Sequence, residues 1–216
     1  MMSRQVLPVG FAVAAMGLAF GVLVTRSGLP WWWATIFAAV IFAGSLEFLL
    51  LGLVTAVAPL GQVAAAAFLV NFRHVFYAMS FPLHRVPGVA AKAYSTFALT
   101  DEAYALTARP EAQSWSRARI LGLQAFVHVF WAGSVTVGAL GGTLIPPEVK
   151  GLDFAVTALF LVLGIDAFRD RRDVPAVVVA LACALVGHAV FGEQMLVAAM
   201  AMFTLFLLAR YALRRA

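Results

Sequence analysis

Asn71-Phe72-Arg73-His74-Val75-Phe76-Tyr77 places four groups capable of chemistry inside an apolar segment running from about Leu60 to Phe81. A guanidinium, an imidazole and an amide are costly where they face lipid, so such residues at mid-segment point to a functional site. At about 100° per helical residue, Arg73 and Tyr77 share a face, with His74 and Asn71 further round. That pattern suits one polar wall of a pocket or pathway. The competing reading puts Arg73 and His74 near a helix end, snorkelling to the headgroups. Leu83-His84-Arg85 lies about three turns further on and is the better boundary.

A second group is Gly44, Ser45 and Glu47, in the middle of an apolar run from Trp31 to Val57. Ala43-Gly44-Ser45 reads either as close helix packing or as a helix break. A carboxylate at mid-run shifts the balance to a break. The amide groups opening a second half-helix would then attract an anion. A third group is Thr100, Asp101 and Glu102, which also reads as a helix N-cap followed by an acidic first turn.

These groups need a membrane scaffold. The 216 residues are 63% hydrophobic and 12% charged, with a mean hydropathy of +0.96. The expected fold is an all-α polytopic membrane protein, a single transmembrane domain over residues 1–216. About seven helices are expected: Leu7–Val24, Trp31–Val57 (broken at Ala43-Gly44-Ser45), Gln62–Phe81, Ile120–Leu140, Leu152–Phe168, Val174–Val190 and Met195–Tyr211. The first is read as an uncleaved span. Trp31-Trp32-Trp33 reads as an interfacial belt. Residues 94–107 are too short to cross and are flanked by basic loops, so they are expected to form a re-entrant or interfacial helix. Basic loops then give an N-terminus outside and a C-terminus inside, with Arg4 as the misfit. An internal N-terminus removes the misfit, and requires that Trp31–Val57 form a hairpin or that 94–107 cross. Ala-Gly-Ser occurs again at 132–134, a weak sign of repetition. The net charge of +5 resides in short loops and sets topology; it is no nucleic-acid signal. One cysteine, Cys183, excludes an internal disulfide.

Three stretches together resemble the AzlC family, the large permease subunit of bacterial branched-chain amino acid exporters: Phe42–Phe48, Asn71–Tyr77 and Phe97–Glu102. Its Ala-Gly-Ser-x-Gln-Phe pattern falls on Ala43, Gly44, Ser45 and Phe48. Its Arg-His-x-x-Tyr falls on Arg73, His74 and Tyr77, and its Leu-Thr-Asp-Glu on Leu99, Thr100, Asp101 and Glu102. Glu47 departs from the pattern, where glutamine is expected. The resemblance implies export of branched-chain amino acids, with methionine as a further candidate, across the bacterial inner membrane, and a small hydrophobic AzlD-type partner subunit.

A zwitterion needs a cation for its carboxylate, an acceptor for its ammonium and an apolar wall. Arg73 or the half-helix start at Gly44-Ser45 would serve the first, and Glu47 or Asp101 the second. Proton coupling would need an accessible group titrating near neutrality, with Glu47, Asp101, Glu102 and His74 as candidates. No phosphate-binding glycine loop is present, so ATP hydrolysis by this chain is not expected; a transporter of this kind is expected to carry no cofactor and no enzymatic activity. Two other classes remain: an intramembrane metalloenzyme built on His74, His128, His188 and the acids, and a non-transporting assembly subunit. The histidines lack metal-site spacing, and buried charges argue for use rather than assembly.

Overall fold

The computed structural model describes residues 6–107, 110–146 and 174–213. The expected span Leu152–Phe168, with Asp166, lies outside them, as does Arg4. The described elements are helical, as expected for an all-α membrane protein. They fall into two compact units, Met1–Thr55 with Asn71–Asp153, and Ala56–Val70 with Phe154–Ala216.

The first unit is built on α1 (Val6–Arg26) and α8 (Arg117–Thr143). Both are long and apolar enough to cross a bilayer. Glycines let their backbones approach closely. A Cβ on Gly21 would collide with the Val135 carbonyl and the Ala139 amide, and one on Gly138 with the Leu18 backbone. Gly10 faces Phe126, Gly17 faces Ser134 and Gly142 faces Val22 and Thr25. At the far end Arg26 donates to the Pro146 carbonyl, 3.2 Å. The paired positions rise together, so the two helices are parallel. Seven crossings with an external N-terminus would make them antiparallel. That arrangement does not hold, because loop charge is a property of each segment and does not fix the direction in which two distant helices pack.

Between them the chain is interrupted three times. α2 (Trp31–Ile36) runs into a π-helical turn, Phe37–Ile41, closed by a Phe42 amide bond to the Phe37 carbonyl. Phe42 is left-handed (φ 47°), and α3 restarts at Gly44 and runs to Thr55. The break expected at Ala43-Gly44-Ser45 is present. The bulky residue Phe42 takes the unfavourable conformation, and such π turns often mark functional sites. α4 (Leu60–Asn71) is followed by α5 (His74–Ser80), with Phe72-Arg73 between them, and the 21-residue stretch is long and apolar enough to cross a bilayer.

The third interruption separates α6 (Val89–Phe97) from α7 (Asp101–Thr107). Ala91 at the start of α6 packs on the Phe81, Val86, Leu99 and Ile120 cluster near the beginning of α8. Phe97 reaches the His128 ring, two turns along α8 (5.6 Å). α7 then returns, because Tyr104 and Trp115 pack against the same lower cluster. The stretch expected as one helix over 94–107 is two helices, broken at Ala98-Leu99-Thr100, with the second folded back toward the same cluster. Thr100 caps α7 by accepting from the Ala103 amide at 3.4 Å.

In the second unit α9 (Val174–Phe191) and α10 (Met195–Leu213) form an antiparallel pair. Gly187 allows the contact, since a Cβ there would sit 2.9 Å from the Met195 carbonyl and 3.3 Å from Ala199.

Candidate functional site

The ends of the helix interruptions carry the polar residues singled out in the sequence. Arg73 lies just before α5. Its Nη2 is 2.9 Å from Asp101 Oδ2 at the start of α7 and donates to Ser45 Oγ in the first turn of α3, at 3.4 Å. Tyr77, one turn on, donates to the other oxygen of the same carboxylate, Asp101 Oδ1, at 2.9 Å. The Tyr77 ring stacks on Tyr104 (4.2 Å, 9° between planes), and Tyr104 accepts from Ser80 at 3.1 Å. Ser45, Arg73, Tyr77 and Asp101 therefore form one constellation, drawn from three separate segments.

The ion pair is open. The Arg73 and Asp101 side chains are 41% and 45% exposed. Two neighbouring atoms, Arg73 Nε and Asn71 Oδ1, are buried without a hydrogen-bond partner. Such orphaned atoms are uncommon and call for a reason. His74 Nδ1 is bonded to the Asn71 carbonyl at 2.9 Å, so it must donate, and its ring meets Tyr77 edge-on at 5.3 Å. Gly44 packs on the Trp131 ring with little room for a Cβ, 3.3 Å. Glu102 follows Asp101 in the first turn of α7, where its charge suits the helix dipole.

Glu47 does not join this group. It is fully buried, and its bonds go elsewhere. Oε1 accepts from the Ala43 amide at 2.9 Å, so the residue caps the start of its own helix. The Trp131 indole Nε1 donates to both oxygens, 3.0 and 3.1 Å. The Gly44-Ser45 helix start is therefore partly filled by its own carboxylate.

The supporting residues sit on one stripe of α8 at helical spacing: Gln124, His128 and Trp131. Gln124, fully buried, accepts from Ser95 Oγ (2.8 Å) and donates to the carbonyls of Ser95 (2.7 Å) and Ala98 (3.1 Å). These are carbonyls left over where α6 ends. His128 Nε2 donates to the Ala39 carbonyl in the π turn at 3.2 Å, which leaves Nδ1 of a neutral ring to accept from Tyr94 at 3.4 Å. The Phe42 ring stacks on His128 at 4.2 Å. Thus α8 satisfies both broken helices, whose interrupted backbone would otherwise be exposed to hydrocarbon. In the sequence His128 stands out only as a candidate metal ligand, and Gln124 and Trp131 not at all. Their spacing of four and three along one apolar helix was the available signal.

The model of the AzlC protein family matches residues 8–145. The chain is 27% identical over 199 residues to the branched-chain amino acid transport protein AzlC of Bacillus subtilis strain 168, covering 90% of this chain and 78% of that protein. It is 29% identical over 182 residues to an uncharacterized membrane protein of Helicobacter pylori strain 26695, covering 83% and 79%. It is 25% identical over 197 residues to the inner membrane protein YgaZ of Escherichia coli K12, covering 87% and 80%. No solved structure matches. With the family model spanning both helix breaks, the Arg73–Asp101 pair and the supporting stripe of α8, the chain belongs to the AzlC family.

Proposed function

We propose that the protein is a secondary transporter that exports branched-chain amino acids, with methionine as a second candidate, across the bacterial inner membrane. The observation that carries this reading is the half-exposed Arg73–Asp101 pair beside Ser45 and Tyr77. It offers, a few ångströms apart, a planar cation for an α-carboxylate and a carboxylate for an α-ammonium. A zwitterion would replace the direct pair by two intermolecular pairs, so no buried charge is stranded. Phe- and Leu-rich helices would take an aliphatic side chain, which hydrophobic contact alone discriminates weakly. The names of the Bacillus subtilis and Escherichia coli relatives support branched-chain amino acid transport and the inner membrane respectively.

Transport is proposed to be proton-coupled, and Asp101 is proposed to exchange partners when substrate arrives. Glu47, with both oxygens occupied, is assigned to the scaffold. A small hydrophobic AzlD-type subunit is proposed as partner. The metalloenzyme reading is disfavoured because, among the described residues, no three His, Cys, Asp or Glu side chains come together to hold a metal ion, and both His128 ring nitrogens are already hydrogen-bonded.

The test is efflux of leucine, isoleucine, valine and methionine from preloaded cells producing the chain with and without a co-encoded small subunit. Efflux above the empty-vector rate is expected for at least one of the four. A rate equal to the vector for all four, with both chains in the membrane, would sink the assignment.

A further inference from the structure

A guanidinium carries its N–H donors in a planar fork and has no acceptor. Arg73 uses little of that fork. Nη2 alone serves both Asp101 Oδ2 (2.9 Å) and Ser45 Oγ (3.4 Å). Nε shares an edge with Nη2, and that edge is where a carboxylate docks through two parallel bonds. Nε is buried and has no partner. Asp101 does not close the edge. It gives one oxygen to Nη2 and the other to the Tyr77 hydroxyl, at 2.9 Å. Tyr77 thereby holds Asp101 in a one-point grip on Arg73.

The second orphaned atom is an acceptor. Asn71 Oδ1 is also buried without a partner. Its residue stands at a break in the backbone ladder. The Val75 amide donates to the Phe72 carbonyl (3.2 Å), and the Asn71 carbonyl accepts from the His74 imidazole instead (2.9 Å). The turn that carries Asn71 and Arg73 is thus pinned from outside the ladder. A buried donor and a buried acceptor are each costly to leave unmatched. Two such atoms, two residues apart on one turn, call for a partner that both accepts and donates. An α-amino acid has an acceptor and a donor on a single carbon. A water molecule is the other candidate, and it would leave ligand preference independent of Asn71.

We propose that Asn71 recognises the α-ammonium of the substrate, and that Arg73 Nε and Nη2 together take its α-carboxylate. The proposal deepens the transporter reading and rests on it for the class of ligand. When the amino acid arrives, Asp101 leaves Nη2 for the ammonium, and the Nε–Nη2 edge becomes free for the carboxylate. The ammonium has three N–H donors; Asp101 accepts from one and Asn71 Oδ1 from another. Both orphaned atoms are then matched. A monocarboxylate would match Nε and leave Asn71 unsatisfied, and a simple amine would do the reverse. Asn71 is therefore the residue that separates amino acids from their des-amino analogues.

Equilibrium binding of labelled leucine tests this, with the full chain purified together with its co-encoded small subunit. The competitors are unlabelled leucine, isocaproate (leucine without its ammonium) and isoamylamine (leucine without its carboxylate). Asn71→Leu keeps the volume and removes the acceptor. It should weaken leucine about ten- to hundred-fold and leave isocaproate within about twofold of wild type. Asn71→Ala should give the same contrast, which covers the case in which Asn71→Leu fails to fold. Arg73→Lys should weaken leucine and isocaproate alike and spare isoamylamine. Equal losses of leucine and isocaproate in the Asn71 variants would overturn the subsite. Unchanged leucine binding in those variants would also overturn it, and would match a water molecule between the two atoms. The expected contrast in binding, with no efflux from cells, would overturn the transport reading and leave the subsite standing. Efflux with leucine affinity unaffected by the Asn71 variants would do the opposite. Absence of displaceable leucine binding in the unmodified protein overturns the subsite.

Discussion

The Trp131 indole donates to both carboxylate oxygens of Glu47, which lies 84 residues earlier in the chain. With the Ala43 amide on Oε1, this contact fixes where α3 restarts. Removing either partner leaves a buried polar group unmatched. Trp131→Phe and Glu47→Ala should each destabilise the protein by about 1–3 kcal/mol. Glu47→Gln should fall between wild type and Glu47→Ala, because its amide oxygen can still accept from both donors while its NH2 lies buried against the indole N–H with no acceptor. Thermal unfolding in detergent of the three variants checks the order. A Glu47→Gln protein as unstable as Glu47→Ala would show that the negative charge, rather than the acceptor, holds the break.

Arg73→Lys should lose transport while keeping its place in the membrane. The guanidinium reaches Asp101 and Ser45 together, whereas an ammonium is a point charge on a shorter stem. Losing one charged hydrogen bond of about 1.5–3 kcal/mol corresponds to roughly a ten- to hundred-fold fall in flux. Efflux at equal membrane abundance measures it, and wild-type flux in Arg73→Lys would remove Arg73 from bidentate recognition.

Gln124 touches none of the site residues, yet it holds the end of α6. Gln124→Leu strands the Ser95 hydroxyl and the Ser95 and Ala98 carbonyls. A stability loss of about 2–4 kcal/mol is expected, from more than one unsatisfied buried group. The start of α7 should shift with it, so that Asp101 meets Arg73 less well and the apparent affinity falls more than the maximal rate. Equal falls in both would make Gln124 a purely structural residue.

Gly21→Ala and Gly138→Ala should both be poorly tolerated, because each Cβ would meet backbone of the facing helix. Overpacking of this kind costs about 1–3 kcal/mol. Gly122→Ala and Gly133→Ala on the same α8 are the controls. Nothing lies within 4 Å of either Cβ, so a neutral effect or a gain of up to about 1 kcal/mol is expected. Melting temperatures and membrane yield separate the pairs; equal effects at all four positions would argue against the close α1–α8 contact.

Much of the architecture was legible in order along the chain. Apolar run length set α1, α8, α9 and α10 to within a few residues, because the bilayer fixes how long a crossing helix must be. A carboxylate after Ala43-Gly44-Ser45 marked the first break, and Thr100 before two acids marked the start of α7, because local backbone groups choose those residue types. The second Ala-Gly-Ser, at 132–134, falls inside the continuous helix α8 and is no break. The same tripeptide can pack or interrupt, and only the neighbouring helix decides which.

What tertiary structure decided is which charges and donors meet. Glu47 and Asp101 were equal candidates for the substrate ammonium on composition. Their difference arises because Trp131 comes from α8 to cover one, while Arg73 and Tyr77 come from α5 to hold the other in reach of solvent. The relative direction of α1 and α8 could not be read from loop charge, and their parallel packing settles it. Hydropathy and spacing are properties of single segments. Partner choice and burial belong to pairs of segments distant in sequence, and those are settled when the helices pack.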